Sequence, residues 1–307
     1  MTVTIKEKAF SEDGSIKYVF FTSQGQLIEG IYFRIQGRED FSDDTYHICI
    51  SSQAGCAMGC TFCATGYGGF FAQLSSEEMC SQVDLICNDL IAMGKEEKMT
   101  GFSVGLMGMG EPLMNYENIV AFCYSVQNKY SNLEAVCIST IGISPRIEDM
   151  AQVANDTNII RLFVSIHSPY EEQRLSIMPI TKKYSIQSVL EACRTFHKNT
   201  GLKIILSYLL IRDVNDSEKH AEDFAHLIAN DVCFTTQLLL YNETPGIDFM
   251  RPSNDSATKF KDVLSSHGIP TIIQISKGQD IDGGCGQLVK KINQKSVERR
   301  IKLSQLG

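Results

Sequence analysis

The 307-residue sequence has no stretch approaching the roughly 20 consecutive apolar residues that a membrane-crossing helix needs, which excludes a helical membrane span. Its start, MTVTIKEKAFSEDG, has no apolar segment of the secretory kind, so the cytoplasm is the expected compartment. Positive charge is scarce. Lys and Arg number 28 against 36 Asp and Glu, a net charge of −8, which excludes a uniformly basic surface and requires any nucleic-acid partner to meet a local basic patch. No internal repeat or low-complexity tract is present, which excludes repeat arrays and tail-like disorder. What remains, 43% hydrophobic and 21% charged residues, is an ordinary globular composition with length for one large domain or two small ones.

Cysteine, by contrast, is abundant, with 11 residues. Cytosolic thiols are normally reduced, so metal binding or redox chemistry is the question rather than a disulfide framework. Cys80, Cys87, Cys123 and Cys193 fall inside helical apolar patterns and Cys137 and Cys233 in or beside strand-like runs, where a thiol behaves as a small hydrophobe. Cys49, Cys56, Cys60, Cys63 and Cys285 have less ordinary surroundings.

Residues Ile16 to Ile35 read as two strands joined by a Ser-Gln-Gly-Gln turn, a hairpin. The charged segment Gly37 to Asp44 reads as a loop separating an N-terminal extension, 1–45, from a main domain, 46–288, and a basic, helical tail, 289–307. Strand-like runs at 46–51, 101–107, 134–139, 160–166, 202–211 and 234–240 alternate with helical periodicities, the first opened by a Ser75/Glu78 capping box with Met79, Val83, Ile86 and Leu90 on one face. A seventh strand is expected near Thr271 to Ile275. Six β-then-α units without an obvious reversal predict an α/β protein, a partial (β/α)6 barrel.

Three constellations carry chemistry. In CAMGCTFC, Cys56, Cys60 and Cys63 stand in Cys-x3-Cys-x2-Cys spacing after the first barrel strand, enough thiolates for three corners of an iron–sulfur cube. A closed zinc tetrahedron would need a fourth ligand, and no second CxxC pair lies nearby, although His47 or Cys49 could complete one. In GLMGMGEPLMN, Gly105, Gly108 and Gly110 end the second strand and Glu111 follows, a place where backbone can approach a ligand and a carboxylate can receive an amine or hydroxyl. Taken alone, these glycines read equally as a tight turn. Strand ends also supply Ser139, Thr140, Ser165, His167 and Asn242, which in a barrel share one mouth with the cysteine loop or serve locally as caps and turns. Cys285, in GGCG, is expected to be exposed and reactive. Alternation along YHICIS puts His47, Cys49 and Ser51 on one face and Ile48 and Ile50 on the other, so with the isoleucines against the helices Cys49 faces the interior, where two thiols could exchange with a disulfide.

The cysteine spacing, with Phe62 before the last cysteine, resembles the radical S-adenosylmethionine (SAM) superfamily. The stretches CISSQAGCAMGCTFCATG, GLMGMGEPLMN, ISTIGISPRI, VSIHSP, SIMPITKKY, DVNDS and GQDIDGGCGQL, in this order, resemble the RlmN and Cfr family of radical-SAM RNA adenine methyltransferases from about Asp13 to Leu288. The resemblance implies a barrel of the radical SAM type with a short hairpin extension, a 4Fe-4S cluster on Cys56, Cys60 and Cys63, and SAM contacts from Gly110, Glu111, Ser139, Ser165, Ile166, His167 and Asn242. It further implies that Cys285 carries a methyl group, that Cys49 resolves it through a transient disulfide, and that Glu29 takes up the ring proton. Without the resemblance, Glu29 reads equally as a solvated strand carboxylate. The partners it implies are an rRNA or tRNA substrate, methylated at adenine carbon 2 or 8, and an external electron donor such as a flavodoxin-type reductant.

Family members usually carry a further helical domain, whereas 28 residues precede Glu29, so a short form is expected. Lys277, Gln279, Gly283 and Gly284 also depart from the family pattern. The tail holds Lys290, Lys291, Lys295, Arg299, Arg300 and Lys302 against one Glu298, a patch for an RNA backbone or a solvated helix face. Two other readings remain: a radical SAM enzyme acting on a small molecule or peptide, and a non-enzymatic iron–sulfur or zinc module.

Overall fold

Alternating strand and helix patterns in the sequence become alternating strands and helices in space. The structure, a computed structural model, describes residues 3–35, 45–95, 101–229 and 231–288. The expected boundary loop and the basic tail lie outside the described residues.

Three antiparallel strands come first, β1 (Val3–Phe10), β2 (Ile16–Thr22) and β3 (Leu27–Arg34), with β2 and β3 forming the expected hairpin. Strand β1 was not legible in the sequence. It is an edge strand with mostly exposed side chains and three consecutive charges, Lys6, Glu7 and Lys8, which help keep an edge from pairing with other chains.

Strand β4 (Tyr46–Cys49) pairs antiparallel with β3 and opens the repeating part. A small ribbon of β5 (Gln53–Gly55) and β6 (Phe70–Gln73) flanks a short helix α1 (Ala64–Gly68). Helix α2 (Ser76–Ala92) follows, then β7 (Phe102–Leu106), α3 (Tyr116–Lys129), β8 (Leu133–Thr140), α4 (Ser144–Thr157) and β9 (Ile160–Ser165). The chain continues through α5 (Glu171–Ile177), α6 (Ile186–Thr200), β10 (Ile204–Leu210), α7 (Glu218–Ile228), β11 (Phe234–Leu240), α8 (Asn254–Ser266) and β12 (Thr271–Gln274).

One ten-stranded sheet results, ordered β1-β2-β3-β4-β7-β8-β9-β10-β11-β12, and every pairing from β4 onward is parallel. Parallel strands joined by helices place the helices on one face. There Ile48, Val104, Ile138, Val164, Leu206 and Leu238 are fully buried in the main core. Residues of opposite parity, Ala135, Cys137 and Phe163, form a separate inner core with Phe33, Ile35, Met107 and Ile205. The sheet curls round that inner face as a partial barrel, since β4, β8, β9, β10, β11 and β12 all line one cavity of about 220 Å³.

Local signals explain the helices. Ser75 and Glu78 make both bonds of the capping box, at 3.1 and 3.0 Å, and Met79, Val83, Ile86 and Leu90 are completely buried, about 1.5–3 kcal/mol each. Ser185, Ser217 and Ser253 cap α6, α7 and α8, each hydroxyl accepting from the backbone N–H three residues on.

Candidate active site

The cysteine loop leaves β5 and is pinned at several backbone points. Cys56 N–H donates to Gly69 O at 3.0 Å, Thr61 N–H to Ile177 O at 3.0 Å and Ala64 N–H to Gly286 O at 2.9 Å. Cys60 packs against Ile177 and Met178. Burial pushes the Cys56 thiol up to about 12 and the Cys60 thiol well above its ordinary value, with Cys63 and Glu111 adding to both and Cys56 adding to Cys60. Bound metal would remove those protons.

Among the described residues the three sulfurs, alone or with His47 or Cys49, do not converge within the 4.8 Å that one ion would need. Corners of a cube lie further apart than the ligands of one ion, so these three thiols, Cys60 buried and Cys56 and Cys63 partly so, fit a cluster better than zinc. Thr61 Oγ1, in the same loop, is buried without a hydrogen-bond partner among the described residues, a donor available to a bound group.

Glu111 follows β7 and is buried. Its carboxylate accepts from Thr140 Oγ1 at 2.7 Å, Ile141 N at 2.9 Å and Leu113 N at 3.0 Å. Burial nevertheless raises its pKa to about 7, because desolvation outweighs those three bonds. Gly110 has φ +109, and a Cβ there would come 2.6 Å from the Gln53 side chain, whose Oε1 accepts from Glu111 N–H. Those glycines therefore serve close approach as well as turning.

Ser139, Ser165 and His167 line the cavity together with Phe62, Cys63 and Cys285. Leu209 N–H donates to His167 Nδ1 at 3.0 Å, which leaves the proton on Nε2. Burial, reinforced by the Arg174 charge, lowers His167 to about 3, so it stays neutral. Its φ of +61 lies in the left-handed region that ordinary residues avoid. Ile166 faces the other way: its side chain is buried in the outer core, leaving its backbone as the nearer part.

Asn242 Nδ2 donates to Cys285 O at 3.2 Å, tying the end of β11 to the glycine loop. That loop, Ser276 to Leu288, is held on two sides. Thr65 Oγ1 bonds Leu288 O at 2.9 Å from α1, and the N-terminal hairpin supplies Asp13 to Gly278 N at 2.9 Å, Ser11 to Asp280 at 2.5 Å and Lys17 to Asp282 O at 3.0 Å. A Cβ on Gly283 would meet Ile31 Cδ1 at 2.7 Å, and one on Gly284 the Asn242 amide at 2.7 Å.

The Cys285 side chain is open to the cavity as expected, but the surrounding walls raise its thiol pKa, with Cys63 adding, so it rests as a thiol rather than an activated thiolate. Cys49 is buried on the inner face, in register with Gly105 and Cys137, and both Cys285 and Cys137 stand near enough to disfavour its thiolate. A Cβ on Gly105 would fall 2.3 Å from His47 Nε2, so glycine makes room for that ring, whose Nδ1 lies 2.8 Å from Ser103 Oγ. Cys137 is buried as expected, yet in the cavity wall rather than under a helix. Glu29 is not a solvated carboxylate: it is 1% exposed and pairs with Lys17 Nζ at 3.2 Å.

Two supporting residues escaped the sequence reading. Arg174, fully buried, donates to the carbonyls of Ile141, Ser165, Ile166 and Tyr184 and to Thr181 Oγ1, locking the ends of β8 and β9 together. Asn215 bonds His167 O, Leu209 O and Ile211 N, each at 2.7 Å. Both sit in polar runs, EEQRLSI and DVNDS, that look solvent-facing.

Comparison with known proteins gives concordant results. Residues 50–225 match the Radical SAM superfamily. The chain is 33% identical over 313 residues to the dual-specificity RNA methyltransferase RlmN of Francisella tularensis subsp. holarctica, covering 99% of this chain and 81% of that protein. It is 34% identical over 304 residues to RlmN of Pseudomonas putida strain F1, covering 97% and 77%. A crystal structure of a radical SAM methyltransferase from Sphaerobacter thermophilus superposes with a TM-score of 0.85 at 34% identity, over 94% of this chain and 81% of that one.

Proposed function

The chain belongs to the radical SAM superfamily and, within it, to the family of the RlmN RNA methyltransferases; on that premise we propose that this radical SAM methyltransferase methylates carbon 2 or carbon 8 of an adenine in rRNA or tRNA through a methyl group carried on Cys285. The observation that carries the reading is the placement of Cys285 in the cavity wall beside Cys63, with Cys49 buried on the inner face of β4 near enough for Cys285 to disfavour its thiolate.

In this reading Cys56, Cys60 and Cys63 hold a 4Fe-4S cluster, and Gly110, Glu111, Ser139, Ser165, His167, Asn242 and the Ile166 backbone hold SAM. When bound, that pair supplies the methyl group and the one-electron chemistry needed to attack a carbon with no nucleophilic character. Cys285 loses its proton and takes the methyl on sulfur. After the methyl carbon has joined the adenine, Cys49 attacks the Cys285 sulfur: the S–S bond forms as the S–C bond breaks, the electron pair stays with the carbon, which takes up a proton to become the methyl of the released base, and two further electrons from an external reductant return the disulfide to thiols. Both thiols have pKa values raised by burial, so each must give up its proton to a base at its own step. Glu29 is the proton acceptor for the ring: it is buried beside Lys17, which holds Asp282 three residues before Cys285. An adenine in a folded RNA must be unstacked to enter, at a cost of a few kcal/mol. An external reductant of the flavodoxin type supplies the electron, and the chain divides into an N-terminal extension, a barrel and a basic tail. Among the described residues no helix is long and apolar enough to cross a membrane.

The test is mass spectrometry of the tryptic peptide Gly278–Lys290 after anaerobic reconstitution with iron, sulfide and SAM. One added methyl on Cys285 is expected. An unmodified peptide in protein with an intact cluster would refute the methyl-carrying role and favour a small-molecule or peptide substrate.

A further inference from the structure

On the convex side of the barrel, away from the cavity, Glu222, His226 and His267 each direct one donor atom to a common point, all within 4.8 Å of one another. Glu222 and His226 are one turn apart on α7, the spacing that puts two side chains on the same helix face. His267 caps the C-terminus of α8, its backbone N–H bonded to Val263 O and Leu264 O. His267 Nε2 lies 2.8 Å from Glu222 Oε2, and the two imidazole rings sit 5.1 Å apart at 76°.

The platform under these three is rigid. Ala221, Phe224, Ala225 and Ile228 of α7 and Ala257, Phe260 and Leu264 of α8 are buried, and the Tyr208 ring packs at 5.0 Å on Phe224 and 4.9 Å on Phe260. Ligands on packed helices are held in place before the ion arrives. We propose that Glu222, His226 and His267 form a site for a borderline divalent transition cation such as zinc, with water in the fourth position.

The donor set decides the class of ion. Two imidazoles and one carboxylate suit zinc at about 2.0–2.2 Å per ligand. Magnesium and calcium want oxygen and more ligands. Partial exposure of the Glu222 and His267 side chains, 41% and 27%, opens a path from solvent. A bound ion clips α7 to α8, the helices that precede β11 and β12 and so underlie Asn242 and the Cys285 loop.

The test uses the cluster-loaded protein, so that the cysteine loop is occupied, titrated with Zn²⁺ in a calorimeter. One zinc per chain is expected, with affinity reduced at least about tenfold in His226→Ala and in Glu222→Gln. Zinc should raise the melting temperature of wild type and not of the variants, and X-ray absorption at the zinc edge should show nitrogen and oxygen neighbours. Unchanged affinity in both variants, sulfur scattering with loss of binding in Cys285→Ser, or no binding to wild type would each overturn the site. His226 is exposed, so its substitution leaves the fold intact as a control.

Discussion

Asn215→Ala should be among the most damaging single substitutions outside the cysteines. The Asn215 carboxamide is fully buried and makes three bonds of 2.7 Å, accepting from Ile211 N–H and donating to the carbonyls of His167 and Leu209. Alanine leaves one donor and two acceptors where water has no access, and each such orphan costs about 1–3 kcal/mol. A water entering the space left by the carboxamide would recover part of that, so the expected loss is ~3–4 kcal/mol. At roughly 2–4 °C per kcal/mol for chains of 150–250 residues, with the low end apt for a longer one, the melting temperature falls by roughly 6–10 °C. Asn215→Asp should be no milder, since it can still accept from Ile211 but sets a carboxylate against two carbonyls. Thermal unfolding of the reduced apoprotein measures both. Because Asn215 also anchors the His167 backbone in its left-handed conformation, SAM affinity of the cluster-loaded protein should fall as well. A drop below about 1 kcal/mol in both variants would refute the view that this side chain holds the turn.

Glu111 and His167 give opposite pH dependences. His167, depressed to about 3, withholds a proton that the unfolded chain takes up near 6.5, so it costs stability as pH falls from about 6.5 toward 3. Glu111, raised to about 7, keeps a proton that the unfolded chain releases near 4.5, so stability falls as pH rises from about 4.5 to 7. Stability of apo Glu111→Gln relative to wild type should therefore climb by ~3 kcal/mol across that window, measured by urea unfolding; a pH-independent difference would contradict the burial of a raised carboxyl. Lys17→Met leaves Glu29 buried without that cation and frees Asp282 O, so ~3–5 kcal/mol should be lost and hydrogen exchange in 278–288 should speed up; unchanged exchange there would count against the hairpin's grip on the loop. Native alkylation at mildly alkaline pH should label Cys285 but not Cys49, which needs denaturant; simultaneous labelling would contradict the burial of Cys49.

Much of this was written in local pattern. Strand alternation assigned Cys49 to the inner face and Ile48 and Ile50 to the helices, and Ser75 with Glu78 marked the start of α2 to the residue. The parallel order from β4 to β12 followed from alternating elements. What stayed hidden depends on contacts between distant segments. Nothing around Glu29 shows that Lys17 and the glycine loop close over it, and nothing in EEQRLSI shows that Arg174 turns inward to meet carbonyls from three other segments. Strand β1 was invisible because an edge strand needs no apolar face. The raised thiol pKa of Cys285 is likewise a property of the cavity walls, which GGCG does not encode.

The clasp on the Cys285 loop also sets an order of assembly. Its bonds join residues 265, 268 and 269 positions apart to the N-terminal hairpin, and 223 apart to α1. Contacts at such separations carry the largest loop-closure cost and form late. Cys56, Cys60 and Cys63, by contrast, fall within eight consecutive residues early in the chain. During synthesis all three thiols of the cysteine loop can therefore be exposed while Cys285 has yet to leave the ribosome. Cys285 comes near Cys49 only when the two ends of the molecule have been sewn together.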